Sequence, residues 1–336
     1  MEQALTKHLD ETIPNWPDFL SEIKQELFEV EKNLNSSLQA KSKILSSIIS
    51  YIFNSGGKRF RPALCLLTGK ATGGITNKHI ILAELTELIH TASLVHDDII
   101  DSSSLRRGKE TINSLWNDKI SVITGDFLFA QASMRLGDLE NTEIVKIYAK
   151  VLSDLCDGEI EQYSYKFNPN ISWDYYIQKS TTKTASLFNA ACKSAAMLNT
   201  KDKKIIEHAE NFGNSLGIAF QITDDILDFT STKIKSGKEI YSDLKQGLIT
   251  APTLFALKSA DKRAKQLEKL IENQFDGSDA TLSQAIRIIF ELGSCEKAEA
   301  LAKEYIVQAK ENLDFVKDIY LKETLEKAAD FVLNRA

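Results

Sequence analysis

The sequence predicts an all-α protein built as one large helical domain. Only 15 of its 336 residues are Gly and 5 are Pro. These are about 4.5% and 1.5% of the chain, below the average usage of roughly 7% and 5%. An all-β fold needs turn residues at short intervals, and a doubly wound α/β fold needs Gly-rich turns. Hydrophobic residues make up 43% of the chain, enough for a sizeable core and against disorder.

Charge and cysteine usage narrow the function classes. The net charge of -6 argues against a nucleic-acid-binding protein, which needs a basic face for the phosphates. The 4 cysteines lie far apart and form no CxxC pair, which favours a reducing cytosol. The N-terminal sequence lacks the pattern of a signal or transit peptide, and no apolar run is long enough for a bilayer. We therefore expect a cytoplasmic protein without an integral membrane segment.

Helical periodicity runs from Asp18 to the C-terminus, and only short clusters of turn residues interrupt it. Such clusters mark loops between helices, and they lie at residues 54–57, 72–74, 102–108, 168–170, 199–202 and 231–237. They predict about ten helices of roughly 15 to 30 residues. Because no linker-like stretch interrupts the chain, we expect residues 1–336 to form a single domain, with residues 1–20 as a peripheral N-terminal segment.

The helix predicted over residues 77–101 has two stripes. Its apolar stripe has the spacing of a core-facing helix. The second stripe is polar, and its members point within about 40° of one direction at 100° per residue: Thr86, His90, Ser93, Asp97 and Asp101. A polar stripe usually faces solvent. Here the flanking residues are also apolar, and this favours a polar cavity within the bundle.

The helix predicted over residues 205–229 has a similar pattern. One face carries Gly213, Gly217, Gln221, Asp224 and Asp228 among apolar neighbours. Gly inside a helix costs about 1 kcal/mol relative to Ala. Two Gly residues one turn apart therefore indicate either close helix packing or an open space, and the sequence leaves both alternatives open.

The two helices share the motif DDxxD, at residues 97–101 and 224–228. The first and fifth residues of such a motif lie one helical turn apart, about 5 to 6 Å between Cβ atoms. Two carboxylates at that spacing can bind Mg²⁺, which keeps waters and phosphate oxygens among its ligands. One copy alone would be better explained as a solvated charge cluster. Two copies on polar stripes of apolar helices predict a metal site.

Cations near these motifs suggest what the metal holds. Arg106 and Arg107 follow the first motif in a Ser-rich loop, where guanidinium groups could bind phosphate oxygens. The segment GGKRFRP at residues 56–62 places three cations after a flexible turn, and Lys183 lies in a helix rich in small residues. Each could equally be an ordinary surface cation. Together they predict a cavity for one or two diphosphates.

Five segments resemble the successive signature motifs of the trans-isoprenyl diphosphate synthase, or polyprenyl synthetase, family. They are GGKRFRP, HTASLVHDDIIDSSSLRRGKET, KTASL, GIAFQITDDILDF and SDLKQG. The resemblance covers the chain from about residue 45 to the end. The details GEIEQ, LRRGKET and SDLKQGLITAP are most similar to long-chain solanesyl diphosphate synthases of cyanobacterial and plastid type.

This resemblance implies the isoprenoid synthase fold, antiparallel helices around a deep central cavity, and a homodimer. The implied reaction joins isopentenyl diphosphate head-to-tail to an allylic diphosphate, with three Mg²⁺ ions per active site. Asp97, Asp101 and Asp224 would bind metal, supported by Asp98, Asp225 and Asp228. The allylic diphosphate would be bound by Arg106, Lys183 and Lys238. Isopentenyl diphosphate would be bound by Lys58, Arg61, His90 and Arg107. Thr184 and Gln221 would stabilise the allylic cation beside the catalytic Lys183.

Two residues depart from the family pattern. Leu248 stands where many members have Lys after SDLKQG, and Tyr241 stands where Gly is common. The missing Lys removes one expected contact to the diphosphate. The role assigned to Lys238 is the one these departures put in question.

The residues before the first motif suggest the length of the product. Ala92 and Ser93, five and four positions before Asp97, are small, whereas a bulky residue there would close a tunnel for the growing chain. We therefore expect products longer than twenty carbons. The alternatives are a short-chain farnesyl or geranylgeranyl diphosphate synthase, with Ala92 in ordinary core packing, and a non-catalytic subunit of a heteromeric synthase. A terpene cyclase or head-to-head synthase would need no isopentenyl diphosphate site.

Overall fold

The structure is a computed structural model that describes residues 17–36, 40–54, 57–106, 108–230 and 240–334. The prediction of an all-α fold is confirmed. The described residues contain sixteen α-helices: α1 Lys24–Ser36, α2 Lys43–Phe53, α3 Phe60–Thr72, α4 Asn77–Ile100, α5 Ile112–Leu115, α6 Asp118–Asp138, α7 Thr142–Ser164, α8 Trp173–Ser180, α9 Ser186–Asn199, α10 Lys203–Thr230, α11 Ser242–Lys245, α12 Ala251–Leu257, α13 Lys262–Glu272, α14 Asp279–Glu291, α15 Ser294–Glu311 and α16 Ile319–Leu333.

The two helices that carry the Asp motifs agree with the prediction within two residues at each end. The expected lengths are wrong for most of the others, because only six of the described helices reach 15 residues. Short 3₁₀ segments also occur at Asp18–Ile23 and Gln274–Gly277, and a π-helical turn at Thr181–Ala185 joins α8 to α9. No helix of the described ranges combines the length and the apolar character needed to cross a membrane.

The chain divides into two compact units. Unit 1 contains residues 1–145, 191–206 and 315–328, and unit 2 contains residues 146–190, 207–314 and 329–336. The expectations for residues 1–16 lie outside the described residues. That residues 1–336 act as one functional domain stays a prediction.

In unit 1, α4 is the central helix and packs against α6, α3 and α1. Its side chains from Leu82 to Ile89 are buried on all sides, more completely than one apolar stripe would require. A capping arrangement begins the helix, in which the Thr76 backbone N–H donates to Nδ1 of His79 at 3.1 Å. His79 Nε2 lies 3.2 Å from the Ala195 carbonyl oxygen and donates to it. The buried imidazole therefore connects the start of α4 to the segment around residue 195.

We expect unit 1 to lose stability in mild acid because of His79. Burial lowers the pKa of His79 below its ordinary value of 6.5, against the opposing hydrogen bond to Ala195. Below about pH 6.5 the His79 side chain binds a proton in the unfolded chain but not in the folded one. The free energy of unfolding therefore falls as the pH falls. Urea unfolding between pH 7.5 and 5.5 should show this dependence, and His79→Gln should reduce it. An equal pH dependence in both proteins would contradict the assignment.

In unit 2, α10 packs tightly against the π-helical turn and the start of α9. A Cβ atom added at Gly217 would lie 2.5 Å from Cα of Ala185, and one at Gly213 would lie 2.6 Å from the Phe188 carbonyl oxygen. These distances are far below ordinary carbon contacts. Of the two alternatives left open by the sequence, close helix packing is therefore the one the structure supports. The rest of the unit packs α12 against α15 and α13 against α14.

Candidate active site

The first Asp motif lies at the C-terminal end of α4 in unit 1. The backbone N–H of Asp101 donates to the Asp97 carbonyl oxygen at 2.8 Å, so Asp97 lies in the last turn of the helix and Asp101 caps it. Asp97 and Asp101 are half-buried, whereas Asp98 is 5% exposed. The Asp98 carboxylate accepts from Nε of Arg106 at 2.7 Å. Two of the predicted groups, Asp98 and Arg106, are therefore already joined within this unit.

Arg106 lies on a short antiparallel hairpin that the sequence did not predict. Its strands, β1 Leu105–Arg106 and β2 Lys109–Glu110, pair Arg106 with Lys109. The turn includes Gly108 at a φ of 75°, a left-handed conformation that suits Gly. The hairpin holds Arg106 beside the Asp motif. Arg107 lies outside the described residues.

The predicted isopentenyl diphosphate residues Arg61 and His90 come together where α3 begins. Nη1 of Arg61 lies 3.1 Å from Nε2 of His90 on α4. Lys58 is exposed just before the helix, and Arg61 and His90 are half-buried. These are three nitrogen-bearing groups of the kind that bind phosphate oxygens, although their roles stay predictions.

Arg59, between these cations in sequence, has a different environment. It is 5% exposed and has a left-handed backbone with a φ of 45°. Its Nη1 donates to Glu87 Oε1 at 2.8 Å, and its Nε donates to Glu31. Burial alone lowers the pKa of the Arg59 guanidinium, but Glu87 and Glu31 raise it above the ordinary value. Nothing in the local sequence predicted this buried cluster.

Ala92 and Ser93 lie on α4 between His90 and Asp97. Ala92 is fully buried, and half-buried Ser93 donates its hydroxyl to the His90 carbonyl oxygen at 2.8 Å. Both residues leave the side-chain volume on this part of α4 small. Their effect on chain length stays a prediction.

The second Asp motif lies near the end of α10 in unit 2, and its three carboxylates differ in environment. Asp224 is exposed, Asp228 is half-buried and Asp225 is 2% exposed. Asp228 Oδ1 accepts from the Ser242 backbone N–H at 3.0 Å, and Oδ2 accepts from that of Asp243 at 3.2 Å. Asp228 thus also caps the start of α11. Burial raises its pKa, against these hydrogen bonds.

The departures from the family pattern lie beside this cap. Tyr241 has a left-handed backbone with a φ of 61°, which explains why a Gly suits this position. Its ring lies 5.8 Å from that of Phe229. Leu248 is half-buried and donates its backbone N–H to the Asp243 carbonyl oxygen at 2.9 Å. Lys238 lies outside the described residues.

The predicted catalytic residues of unit 2 meet where α10 crosses the π-helical turn. Thr184 Oγ1 donates to Gln221 Oε1, and Gln221 Nε2 donates to Asp225 Oδ1 at 2.7 Å. Lys183 forms an ion pair with Glu159 of α7. The π-helical turn positions Lys183 and Thr184. Such turns are rare in proteins overall, but those that occur are frequently found at functional sites.

Two residues of this cluster were missed in the sequence. Tyr176 is fully buried, and its hydroxyl donates to Asp225 Oδ2 at 2.7 Å. Lys179 lies one turn before Lys183, with its ammonium group 5.5 Å from the Tyr176 ring centre. Burial lowers the pKa of Lys179, while Asp225 opposes that shift. The spacing of Lys179 and Lys183, one helical turn apart, could have indicated from the sequence that Lys179 lies near the site. The sequence position of Tyr176 gave no such indication.

The donor chemistry of both motifs fits Mg²⁺. Within the described ranges, no group of three or more His, Cys, Asp or Glu side chains could hold a metal ion by itself. Each motif instead offers carboxylates one helical turn apart, as in Asp97 and Asp101. Mg²⁺ typically binds to one or two carboxylates while waters and substrate phosphates complete its shell.

The chain is similar to known proteins over most of its length. The sequence model of the polyprenyl synthetase family matches residues 42–289. Solanesyl-diphosphate synthase 2, chloroplastic, of Oryza sativa subsp. japonica is 40% identical over 94% of this chain and 79% of its own. A prenyl transferase of Synechocystis sp. is 40% identical over 93% of this chain and 96% of its own.

Solved structures agree with the fold. Heptaprenyl diphosphate synthase from Staphylococcus aureus has a TM-score of 0.88 and 30% identity, covering 93% of this chain and 98% of that one. Polyprenyl synthase from Caulobacter crescentus, complexed with calcium and isoprenyl diphosphate, has a TM-score of 0.89 and 29% identity over 95% and 97% of the two chains. With its two Asp motifs, its all-α fold and a family match over most of its length, the chain belongs to the polyprenyl synthetase family and is a prenyltransferase.

Proposed function

We propose that the chain is a long-chain all-trans polyprenyl diphosphate synthase, which condenses isopentenyl diphosphate head-to-tail onto an allylic diphosphate. The observation that carries the proposal is the order of groups along α4. His90, in contact with Arg61, is followed by the small residues Ala92 and Ser93 and then by the carboxylates of Asp97 and Asp101. Along α4, a residue proposed to bind isopentenyl diphosphate, two small side chains and the carboxylates proposed to bind metal therefore follow one another.

The relatives support the long product. Several curated relatives at about 40% identity are solanesyl diphosphate synthases, and none of the bulky residues typical of short-chain enzymes occurs at positions 92 and 93. Cytoplasmic localisation, with loose membrane association through a long product, and a homodimer belong to the same proposal, because the sequence and the family resemblance favour them.

In the proposed mechanism, as the family resemblance implies, the carboxylates of Asp97 and Asp101 on α4 and those of Asp224 and Asp228 on α10 would hold Mg²⁺. Bound Mg²⁺ supplies the electrophilic stabilisation of the leaving diphosphate. By the same resemblance, the guanidinium of Arg106 and the ammonium of Lys183 would bind the allylic diphosphate, and such cations stabilise negative charge that develops on a leaving group.

The neutral oxygens of Thr184 and Gln221 stabilise the allylic cation without forming a covalent bond to it. Lys58, Arg61 and His90 hold isopentenyl diphosphate, and the double bond of this substrate attacks the cation. The proton that is then lost passes to the departing diphosphate, so no protein nucleophile is required.

The direct test is an incubation of the purified protein with Mg²⁺, labelled isopentenyl diphosphate, and farnesyl or geranylgeranyl diphosphate. Reversed-phase chromatography of the products should give chains longer than twenty carbons. Products that stop at twenty carbons with the farnesyl primer, or at fifteen or twenty carbons with a five-carbon allylic primer, would support the short-chain alternative. An absence of elongation with every allylic primer would overturn the proposed activity and support a non-catalytic subunit.

We expect Ala92→Tyr to shift the products to shorter chains, because the phenol would fill space that the growing chain needs. Ala92 is fully buried, and a larger residue in a packed core costs about 1–3 kcal/mol. Ser93→Tyr, at a half-buried position, should shorten the product with less loss of stability. Thermal melting identifies the variants that still fold. An unchanged product distribution in both folded variants would contradict the role of these positions.

A further inference from the structure

We propose that Asp225 is a positioning residue that fixes the orientation of the Gln221 amide and, through it, the direction of the Thr184 hydroxyl. In this orientation Gln221 and Thr184 offer oxygen lone pairs, rather than N–H or O–H hydrogens, to positive charge. The inference deepens the proposed function, on which it rests, and it separates Asp225 from the metal-binding role that its place in the second DDxxD motif suggests.

Oδ2 of Asp225 must be a hydrogen-bond acceptor. It accepts from the Ala251 backbone N–H at 2.9 Å and from the Tyr176 hydroxyl at 2.7 Å. A backbone N–H can only donate, so this side of the Asp225 group has no freedom to become a donor. Both Tyr176 and Asp225 are buried, and a buried polar group left without its partner is costly.

The other carboxylate oxygen then determines the orientation of Gln221. Oδ1 of Asp225 accepts from Gln221 Nε2 at 2.7 Å, so the amide turns its NH₂ group towards Asp225 and its oxygen towards Thr184. The Thr184 hydroxyl accordingly donates to Gln221 Oε1. The chain of donors runs from Thr184 to Gln221 to Asp225, and each of its two hydrogen bonds is donated in the direction of the carboxylate.

This direction matters for a reaction that passes through a cation. With its proton directed at Gln221, the Thr184 oxygen keeps its lone pairs for other contacts, and so does the amide oxygen. A hydrogen bond to an ionised group is roughly twice as strong as a neutral one, so Asp225 also increases the negative partial charge on the Gln221 oxygen. Preorganised dipoles of this kind stabilise charge that develops in a transition state.

The three carboxylates of the second DDxxD motif therefore differ in exposure, in hydrogen bonding and, in this proposal, in role. Asp224 is exposed and Asp228 is half-buried beside α11, whereas both oxygens of Asp225 are used by donors from within unit 2. Burial raises the pKa of Asp225, while nearby Lys179 and the three donors lower it. The carboxylate is therefore a buried anchor for the Gln221 amide.

Asp225→Asn tests the inference because it should reverse the network. The Asn oxygen must face the Ala251 N–H, so its NH₂ group must face Gln221. Gln221 then has to turn its own oxygen towards residue 225 and its NH₂ group towards Thr184. We expect kcat to fall about a hundredfold, as on loss of one preorganised hydrogen bond in other enzymes. The KM values for both diphosphates and the Mg²⁺ concentration for half-maximal activity should stay close to those of the wild type.

A second substitution should restore the original direction. In the double variant Asp225→Asn, Gln221→Glu, the carboxylate at position 221 can accept from both the Asn NH₂ group and the Thr184 hydroxyl. Gln221→Glu alone places two carboxylates in contact and should be severely impaired. The double variant should therefore recover much of the kcat and much of the melting temperature lost in each single variant. Tyr176→Phe, which leaves the Ala251 N–H in place, should lose some stability but far less kcat than Asp225→Asn.

Melting temperatures measured without metal or substrate provide a readout independent of activity. Recovery of both kcat and melting temperature in the double variant would support the proposal, including when Asp225→Asn alone does not fold. Retained kcat in Asp225→Asn, a raised Mg²⁺ requirement, or a double variant no better than its parents would overturn it. If the wild type itself fails to elongate any primer, the proposed function fails, while the recovery of melting temperature still tests the hydrogen-bond network.

Discussion

Replacing Arg59 by Met is expected to lower the free energy of unfolding by about 3–5 kcal/mol, the usual cost of removing one partner of a buried ion pair. Arg59 is bonded to Glu31 and Glu87, and the side chains of Arg59 and Glu87 are 4% and 7% exposed. Without the guanidinium, the buried carboxylate of Glu87 and the half-buried carboxylate of Glu31 remain without their cation. Met is also a non-glycine residue, so the backbone strain at this position is unchanged. Urea unfolding measures the loss.

The same substitution should weaken the binding of isopentenyl diphosphate. Glu87 lies on α4 three residues before His90, and Arg61 lies in the first turn of α3, two residues after Arg59. The ion pairs of Arg59 therefore hold the segment that carries Lys58 and Arg61 in register with His90. We expect a higher KM for isopentenyl diphosphate and a smaller change in the KM of the allylic substrate.

A matched control is Arg263→Met, which removes another guanidinium with two carboxylate partners. Arg263 contacts Asp261 and Glu291, but its side chain is 35% exposed, and exposed ion pairs contribute little to stability. Adding Glu87→Gln to Arg59→Met should recover part of the lost stability, because it removes one of the orphaned charges. Equal losses at positions 59 and 263, or an unchanged KM for isopentenyl diphosphate, would contradict the role given to Arg59.

The comparison of sequence and structure is most informative at the motif GGKRFRP. The pattern predicts three cations after a turn, and nothing local distinguishes Arg59 from Arg61. Their difference depends on Glu31 and Glu87, each 28 residues away. Helical periodicity, by contrast, needs only local information, and it predicted both Asp helices closely.

The second Asp motif also shows that contacts between residues far apart in sequence are not predictable from local sequence. At 100° per residue, Asp225 lies away from the polar face of α10, so the sequence contained a sign that it differs from Asp224. Its partners Tyr176 and Ala251 are 49 and 26 residues distant, and only the folded chain brings them together. The π-helical turn at residues 181–185 likewise has no spacing signal in the sequence. The residues proposed to act in catalysis could therefore be chosen from the sequence, whereas the hydrogen-bond network around them could not.

Gly217→Ala is expected to impair both stability and catalysis. The packing that brings Thr184 to Gln221 requires that position 217 has no side chain. The new Cβ would lie 2.5 Å from Cα of Ala185 and 3.3 Å from Cβ of Phe188. The first of these is a backbone atom, which cannot rotate away, so α10 and the π-helical turn must separate. Overpacking of this kind costs about 1–3 kcal/mol, more than the gain of about 1 kcal/mol from replacing Gly by Ala in a helix.

Gln221 lies one turn after Gly217 on α10, so the separation acts directly on its bond to Thr184. A displacement of about 1 Å can reduce catalysis about a hundredfold, and we expect kcat to fall on that scale in the folded variant. Gly137→Ala is the matched control. Gly137 lies in α6, and a Cβ there would meet no atom of the described residues within 4 Å apart from its sequence neighbours and the backbone of its own helix. This change should raise the free energy of unfolding by about 0.5–1 kcal/mol. If Gly217→Ala behaves as Gly137→Ala does in thermal melting and keeps the wild-type kcat, then close packing of α10 is not what aligns Gln221 with Thr184.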